Sequence, residues 1–264
     1  MTVPDLSLEQ RPDQNKTLPR RALTSTLLVM TLNEIDGMKT VMPKIRKEWL
    51  NQILVLDGGS TDGTLEWARD HGYEVYVQKE RGFRNAYREV WPLIRSDVVV
   101  YFTPDGNSIP EAIPQLLEKM EDGYDLVIAS RYLGEAKSED DDAVTSFGNW
   151  LFRTLTNLLL RPKDSARMTD PMVMLRALRK DLPHRVGVDD SKPFDGLERL
   201  FRTRVDWIPL MSMRVLKRGL KWCEIPVNEP PRIGGKRKLK IFQWGSVYLI
   251  QLLIEAVKKK QKCP

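Results

Sequence analysis

Cysteine and histidine are scarce in this chain, with 2 of each among 264 residues. Cys223 lies within an apolar, strand-like stretch and Cys263 beside the carboxyl terminus. Neither spacing suggests a disulfide framework or a metal cage, so a reducing cytoplasm is the default compartment. His71 and His184 sit in polar turns without a partner at useful spacing, and neither is assigned a role. Long hydrophobic runs are also missing. The longest candidate, Ile241 to Val257, contains Gln243, Gln251 and Glu255 and falls short of the roughly 20 apolar residues that span a bilayer. The first 22 residues carry Pro4, Pro12, Pro19 and many charges, and they lack the apolar core of a signal peptide. There is no internal repeat. Basic runs are present, but without interleaved aromatics or a recognisable module nucleic acid is not expected as a partner.

What remains is enough for an enzyme-sized core. Hydrophobic residues make up 41% of the chain, which suits one large domain or one domain with an appendage. The most telling stretch is Leu54-Val55-Leu56-Asp57-Gly58-Gly59-Ser60-Thr61-Asp62-Gly63-Thr64. An apolar strand there runs into a carboxylate, a glycine turn and residues that cap a helix. Residues 26 to 31 and 97 to 103 read as two more strands, ending in Leu32-Asn33-Glu34 and Pro104-Asp105-Gly106-Asn107-Ser108. Further strands are expected near 51 to 57, 74 to 78 and 124 to 129, with helices near 35 to 47, 62 to 71, 84 to 95 and 110 to 121. This alternation predicts an α/β fold, a Rossmann-like and mainly parallel sheet with helices on both faces. Ligands bind outside the carboxyl ends of such strands, so Glu34, Asp57 and Asp105 are expected to converge. Beyond residue 130 the pattern predicts a helix to Leu160, a short strand at Met172 to Leu175, a helix at Pro209 to Arg218 and a strand at Lys221 to Ile225. Glu135 to Asp142 reads as a solvated, mobile loop.

At these strand ends the chain resembles the glycosyltransferases of family 2, which have the GT-A fold. The family carries Asn-Glu after its first strand and a D-D/G-G-S-x-D turn after its second, similar to Asn33-Glu34 and Asp57-Gly58-Gly59-Ser60 here. Arg81 to Arg88, Ser130-Arg131-Tyr132, Thr169-Asp170-Pro171, Cys223 to Val227 and Arg232 to Leu239 extend the likeness over residues 24 to 240. The last of these is similar to the R-x-x-G-x-S/T-K-L element of polyprenyl-phosphate sugar transferases, with Arg237 in place of Ser or Thr. The resemblance implies a nucleotide-sugar donor held by Leu32, Asn33, Glu34, Asp57 and Arg84. It also implies a divalent metal, magnesium or manganese, at the family's D-x-D position. Here the matching positions read Pro104-Asp105-Gly106-Asn107: aligned without a gap both acids are lost, and shifted by one residue Asp105 and Asn107 form a D-x-N whose oxygens are acceptable hard ligands. Arg131, Arg232 and Lys238 are the implied phosphate or acceptor contacts. Asp170 is the implied catalytic acid–base group on the acceptor side: it takes the proton of a hydroxyl acceptor, or orients the sugar when the acceptor is already an ionised phosphate.

The net charge of +6 is uneven, with five basic residues in Arg232 to Lys240 and four in Lys258 to Lys262. Such runs attract lipid phosphates or nucleotide diphosphates. Beside them, Trp244, Tyr248, Leu249, Leu252 and Leu253 could lie in a membrane interface, joined by the apolar stretch Phe147 to Leu160. The bland alternative is that both helices cover the sheet or pair two copies of the chain. The domain expectation is a polar tail over 1–22, a GT-A domain over 23–240 with donor and acceptor halves meeting near 130, and an amphipathic helix with a basic tail over 241–264. The functional expectation is an inverting glycosyltransferase with a polyprenyl phosphate acceptor, cytoplasmic and peripheral on the inner membrane face. A glycan or small alcohol acceptor stays open, and a non-catalytic nucleotide-sugar binding protein is the rival from another class. A sugar-phosphate nucleotidyltransferase would need a glycine-rich Arg-Lys loop that residues 32 to 36 do not supply.

Overall fold

A computed structural model describes residues 22–189, 196, 198, 200, 206–234 and 241–258, the last segment with side chains from residue 244 onward. Its centre is a seven-stranded sheet of order β3-β2-β1-β4-β6-β5-β7. The strands are β1 (Ser25–Thr31), β2 (Gln52–Asp57), β3 (Glu74–Val77), β4 (Val98–Phe102), β5 (Leu126–Ser130), β6 (Arg176–Arg179) and β7 (Trp222–Pro226). All residues of β1, β4 and β5 are buried. That is why β4 reads as the unbroken run VVVYF rather than as alternating polar and apolar residues: a strand covered on both faces has no solvent side. β1 pairs in parallel with β2 on one side and β4 on the other. The chain therefore winds outward in both directions from β1, and the crevice at this reversal is where open α/β sheets take their ligands.

Around the sheet lie α1 (Ile35–Val41), α2 (Thr64–Asp70), α3 (Phe83–Val90), α4 (Ala112–Glu121), α5 (Ala143–Leu160), α6 (Leu182–Val186), α7 (Trp207–Arg218) and α8 (Ile241–Val257). α1 begins at the β1 end and packs against the loop after β4. Gly37 makes this approach possible, since a Cβ there would come within 2.1 Å of the Pro104 carbonyl oxygen. α8 lies on α5 and α7, with Val247, Tyr248 and Leu252 buried. Two of the residues expected at a membrane interface, Tyr248 and Leu252, thus point into the protein. On α5 the reverse holds: Val144, Phe147, Trp150, Leu158 and Leu159 are exposed. Among the described residues no helix is long and apolar enough to cross a membrane.

Two expectations are corrected by the structure. The short strand predicted at Met172 to Leu175 is a turn, and the strand follows it at Arg176–Arg179, antiparallel to both β4 and β5. Buried Arg176 turns back to donate to the carbonyls of Pro171 and Val173, and Asp170 accepts from the Val173 amide at 3.1 Å. These bonds curl the apolar run before it can pair. The loop Glu135 to Asp142, expected to be solvated, is fastened instead: Lys137 N donates to Asn228 Oδ1 at 2.9 Å, and Glu139 N and Glu229 N exchange bonds with the facing backbone.

Asp206 caps α7 by accepting from Ile208 N at 3.0 Å and is buried. Burial raises its pKa from 3.8 to about 6, against the opposing hydrogen bonds of Ile208 and Trp207 and the charge of Arg176. The folded value lies above the unfolded one, so this group's stabilising contribution is complete below the unfolded pKa and is lost as pH rises through the folded pKa. The change should be on the order of 2 to 3 kcal/mol. Urea denaturation across this window should show wild-type stability falling with pH relative to Asp206→Asn; parallel curves would refute the assignment.

Candidate active site at the carboxyl edge of the sheet

The turn after β2 is built around Asp57. Its carboxylate accepts from Gly59 N at 2.9 Å, Ser60 N at 2.8 Å, Thr31 Oγ1 at 2.9 Å and Ser60 Oγ at 2.6 Å, and the residue is fully buried. Asp57 therefore shapes the turn from beneath and presents no exposed atom to a base or ribose. The neighbouring turn is laced to it. Asn33, at φ 53, accepts from Thr61 N at 2.8 Å and donates its own amide to Ser60 Oγ at 2.8 Å. Glu34 N donates to Thr64 Oγ1 and Ile35 N to Asp62 Oδ2. An asparagine tolerates this left-handed backbone better than most residues. The result is a rigid double turn with Leu32 exposed at its rim.

Asp105 follows β4 and meets Glu34 across one cation. Arg232 Nη1 lies 2.9 Å from Asp105 Oδ2, while its Nη2 lies 2.8 Å from the same oxygen and 3.0 Å from Glu34 Oε1. Burial pushes the Asp105 carboxyl above its usual range, against the charge of Arg232. Asn107 donates Nδ2 to the Pro230 carbonyl at 2.9 Å, which leaves its amide oxygen as the acceptor. Among the described residues no three acidic, thiol or imidazole side chains gather as a metal cage. The Asp105 carboxylate and the Asn107 amide oxygen are hard ligands of the kind that hold a divalent cation completed by substrate phosphates. The Arg232 guanidinium, seated between two carboxylates, marks a place where positive charge is stabilised. On both counts the donor set fits magnesium or manganese.

A cavity of about 210 Å³ opens beside this point, lined in part by Asp105, Asn107, Ser108, Arg131, Asn228 and Glu229. Its far wall is a buried ionic network. Arg131 donates Nε to Asp170 Oδ2 at 2.7 Å, Nη2 to Asp170 Oδ1 at 3.0 Å and Nη1 to Glu229 Oε2 at 3.1 Å, with Asp141 at 3.8 Å. Asp170 also accepts from the amides of Arg131 and Val173, and it is 1% exposed. Its oxygens are thus committed to holding Arg131. Glu224 in β7 supports this corner by accepting from Thr169 and Asp170 amides. Glu229 lines the cavity itself, its carboxyl raised by burial against the charge of Arg131.

Of the residues singled out from the sequence, Glu34, Asp105 and Arg232 meet at one point, Asn107 lies beside Asp105 on the same loop and lines the cavity with it, and Arg131 with Asp170 stands across the cavity. Arg84 is placed differently: it is buried on α3 and paired in a fork with Glu198 at 2.5 and 3.0 Å. Lys238 lies outside the described residues. Glu229 and Asp141 were missed. The signal for Asp141 was the acidic run 135 to 142, which a hydropathy reading assigns to solvent because the partner, Arg131, is supplied by the fold; Glu229 had no local signal.

The Glycosyl transferase family 2 profile matches residues 26–182. Glycosyltransferase AglJ of Haloferax volcanii is 37% identical over 107 residues, which are 40% of this chain and 35% of that protein. Undecaprenyl-phosphate mannosyltransferase of Micrococcus luteus is 27% identical over 224 residues, 80% of this chain and 86% of that protein. Among solved structures, glucosyl-3-phosphoglycerate synthase from Mycobacterium tuberculosis, in complex with Mn2+, UDP-glucose and phosphoglyceric acid, has a TM-score of 0.58 at 19% identity, covering 89% of this chain and 80% of that one. At that identity the likeness is one of fold.

Proposed function

Since the chain belongs to glycosyl transferase family 2 and has the GT-A fold, we propose that it moves a sugar, with inversion, from a nucleotide-sugar donor to a polyprenyl phosphate. The observation that carries this reading is the meeting of Glu34, Asp105 and Arg232 at the carboxyl edge of β1 and β4, with Asn107 beside Asp105 on the loop after β4. Asp105 and Asn107 would hold a divalent metal, which supplies charge stabilisation to the departing nucleoside diphosphate. Leu32, Asn33 and Glu34 form the rim for base and ribose, with Asp57 fixing their turn. Arg232 and Lys238 are the further cations for phosphate charge. An acceptor phosphate is already ionised and needs no strong base, which agrees with an Asp170 spent on orienting Arg131.

The names of relatives support the lipid acceptor, as does the exposed apolar face of α5. Asn149 on this helix donates to Tyr132 Oη at 2.7 Å, and Tyr132 stacks under the Arg131 guanidinium at 5.0 Å. A polyprenyl chain could lie along Phe147 and Trp150 while its phosphate enters the cavity. On this reading the protein works at the cytoplasmic membrane surface, with pairing of two copies as the competing use of the same face.

One observation favours a second reading. Glu229 faces the cavity, where a carboxylate suits a hydroxyl acceptor better than a phosphate. Glu229→Gln separates the two. With a phosphate acceptor, removal of like charge should lower the acceptor KM several-fold. With a hydroxyl acceptor the same change should lower kcat by roughly 10²-fold or more, as loss of a general base does. Initial rates with UDP- and GDP-sugars, against polyprenyl phosphate in vesicles and against simple glycosides, decide it. No transfer to either class, from folded protein, would favour a non-catalytic binding protein.

A further inference from the structure

Arg232 does more than add charge to the site, because it arrives on a segment that closes over it. Residues 230 to 234 cross the loop after β4 at three points. Ile233 N donates to the Asp105 carbonyl at 2.6 Å, Asn107 Nδ2 donates to the Pro230 carbonyl at 2.9 Å, and the Ile233 side chain sits on Gly106. Gly106 has φ +96, and a Cβ there would come within 2.7 Å of Ile233 Cγ1. Only glycine allows both the turn and the contact. The guanidinium then bonds Glu34 and Asp105 together. Two buried carboxylates that share one guanidinium would repel strongly without a cation.

We propose that Arg232 is a resident counter-cation that latches the 230–234 strap over the metal position and is displaced when metal and nucleoside diphosphate bind together. The inference rests on the metal assignment to Asp105 and Asn107 made above. A divalent ion on Asp105 and a guanidinium on the same oxygen repel each other, so metal alone must expel Arg232 into solvent. A metal–diphosphate pair instead brings its own anions, on which the planar fork of Arg232 can close again. Metal and nucleotide therefore bind with positive coupling, and the strap changes partners as they do.

The test is Mn2+ binding to the full chain, read by the electron paramagnetic resonance of free Mn2+, with and without UDP or GDP. Arg232→Gln should bind Mn2+ alone on the order of tenfold more tightly than wild type. It should also lose most of the enhancement that nucleotide gives the wild type. Arg232→Lys keeps a cation in place and should stay close to wild type. In wild type, hydrogen exchange at the Ile233 amide should accelerate when saturating Mn2+ is added alone and slow again when nucleotide is added with it. If Arg232→Gln binds Mn2+ alone no better than wild type, or if Ile233 exchange does not respond, the latch is overturned. Nucleotide-enhanced Mn2+ binding by wild type would then leave the metal assignment standing. Absence of Mn2+ binding under every condition would remove both.

Discussion

Asp105→Asn should lower kcat for sugar transfer by roughly 10²- to 10³-fold, the scale on which loss of one stabilising group at a developing charge is felt. The substitution keeps the shape that lets residue 105 accept from Asn107 N and from Arg232, and Glu34 still neutralises Arg232. The fold should therefore lose only about 1 kcal/mol. The diagnostic is a double readout: the rate falls and cannot be restored by raising Mn2+ to practical levels, while the urea midpoint barely moves. Unchanged turnover would remove Asp105 from the metal site.

Asp170→Ala should act mainly on stability. It strips Arg131 of two charged hydrogen bonds and of the carboxylate that caps its own amide, in a corner where Asp170 is 1% exposed. Breaking one partner of such a buried pair costs about 3 to 5 kcal/mol. Glu229 and Asp141 remain near Arg131, which places the expected value toward the lower end. Asp170→Asn should be intermediate, since it can still accept from Val173 N. Urea denaturation measures both. If Asp170 is instead a free base, Asp170→Asn should abolish transfer to a hydroxyl acceptor while costing under about 1 kcal/mol.

The double turn after β1 and β2 was readable because its determinants are local. A strand that ends in Asp-Gly-Gly-Ser writes its turn in consecutive residues, and the parallel sheet then brings Glu34 and Asp105 together with no further information. The Arg131 network was less readable because its determinants are long-range. Asp141 looks like one more solvated acid until the fold sets Arg131 beside it, and Glu229 gains meaning only from β7 lying next to β5. Arg84 shows the converse: a basic residue at a helix start suits a phosphate, yet the fold commits it to Glu198. The strand displaced from 172–175 to 176–179 has the same origin, since the bonds from Asp170 and Arg176 that curl the turn come from the ends of the run rather than from its apolar content.

Calorimetric titration of the protein with UDP, GDP and their common sugar conjugates, with and without Mn2+, tests the central claim most directly. Metal-enhanced binding of one nucleoside diphosphate, lost in Asp105→Asn, is the predicted result. Absence of binding to any of them by folded wild-type protein would contradict the account.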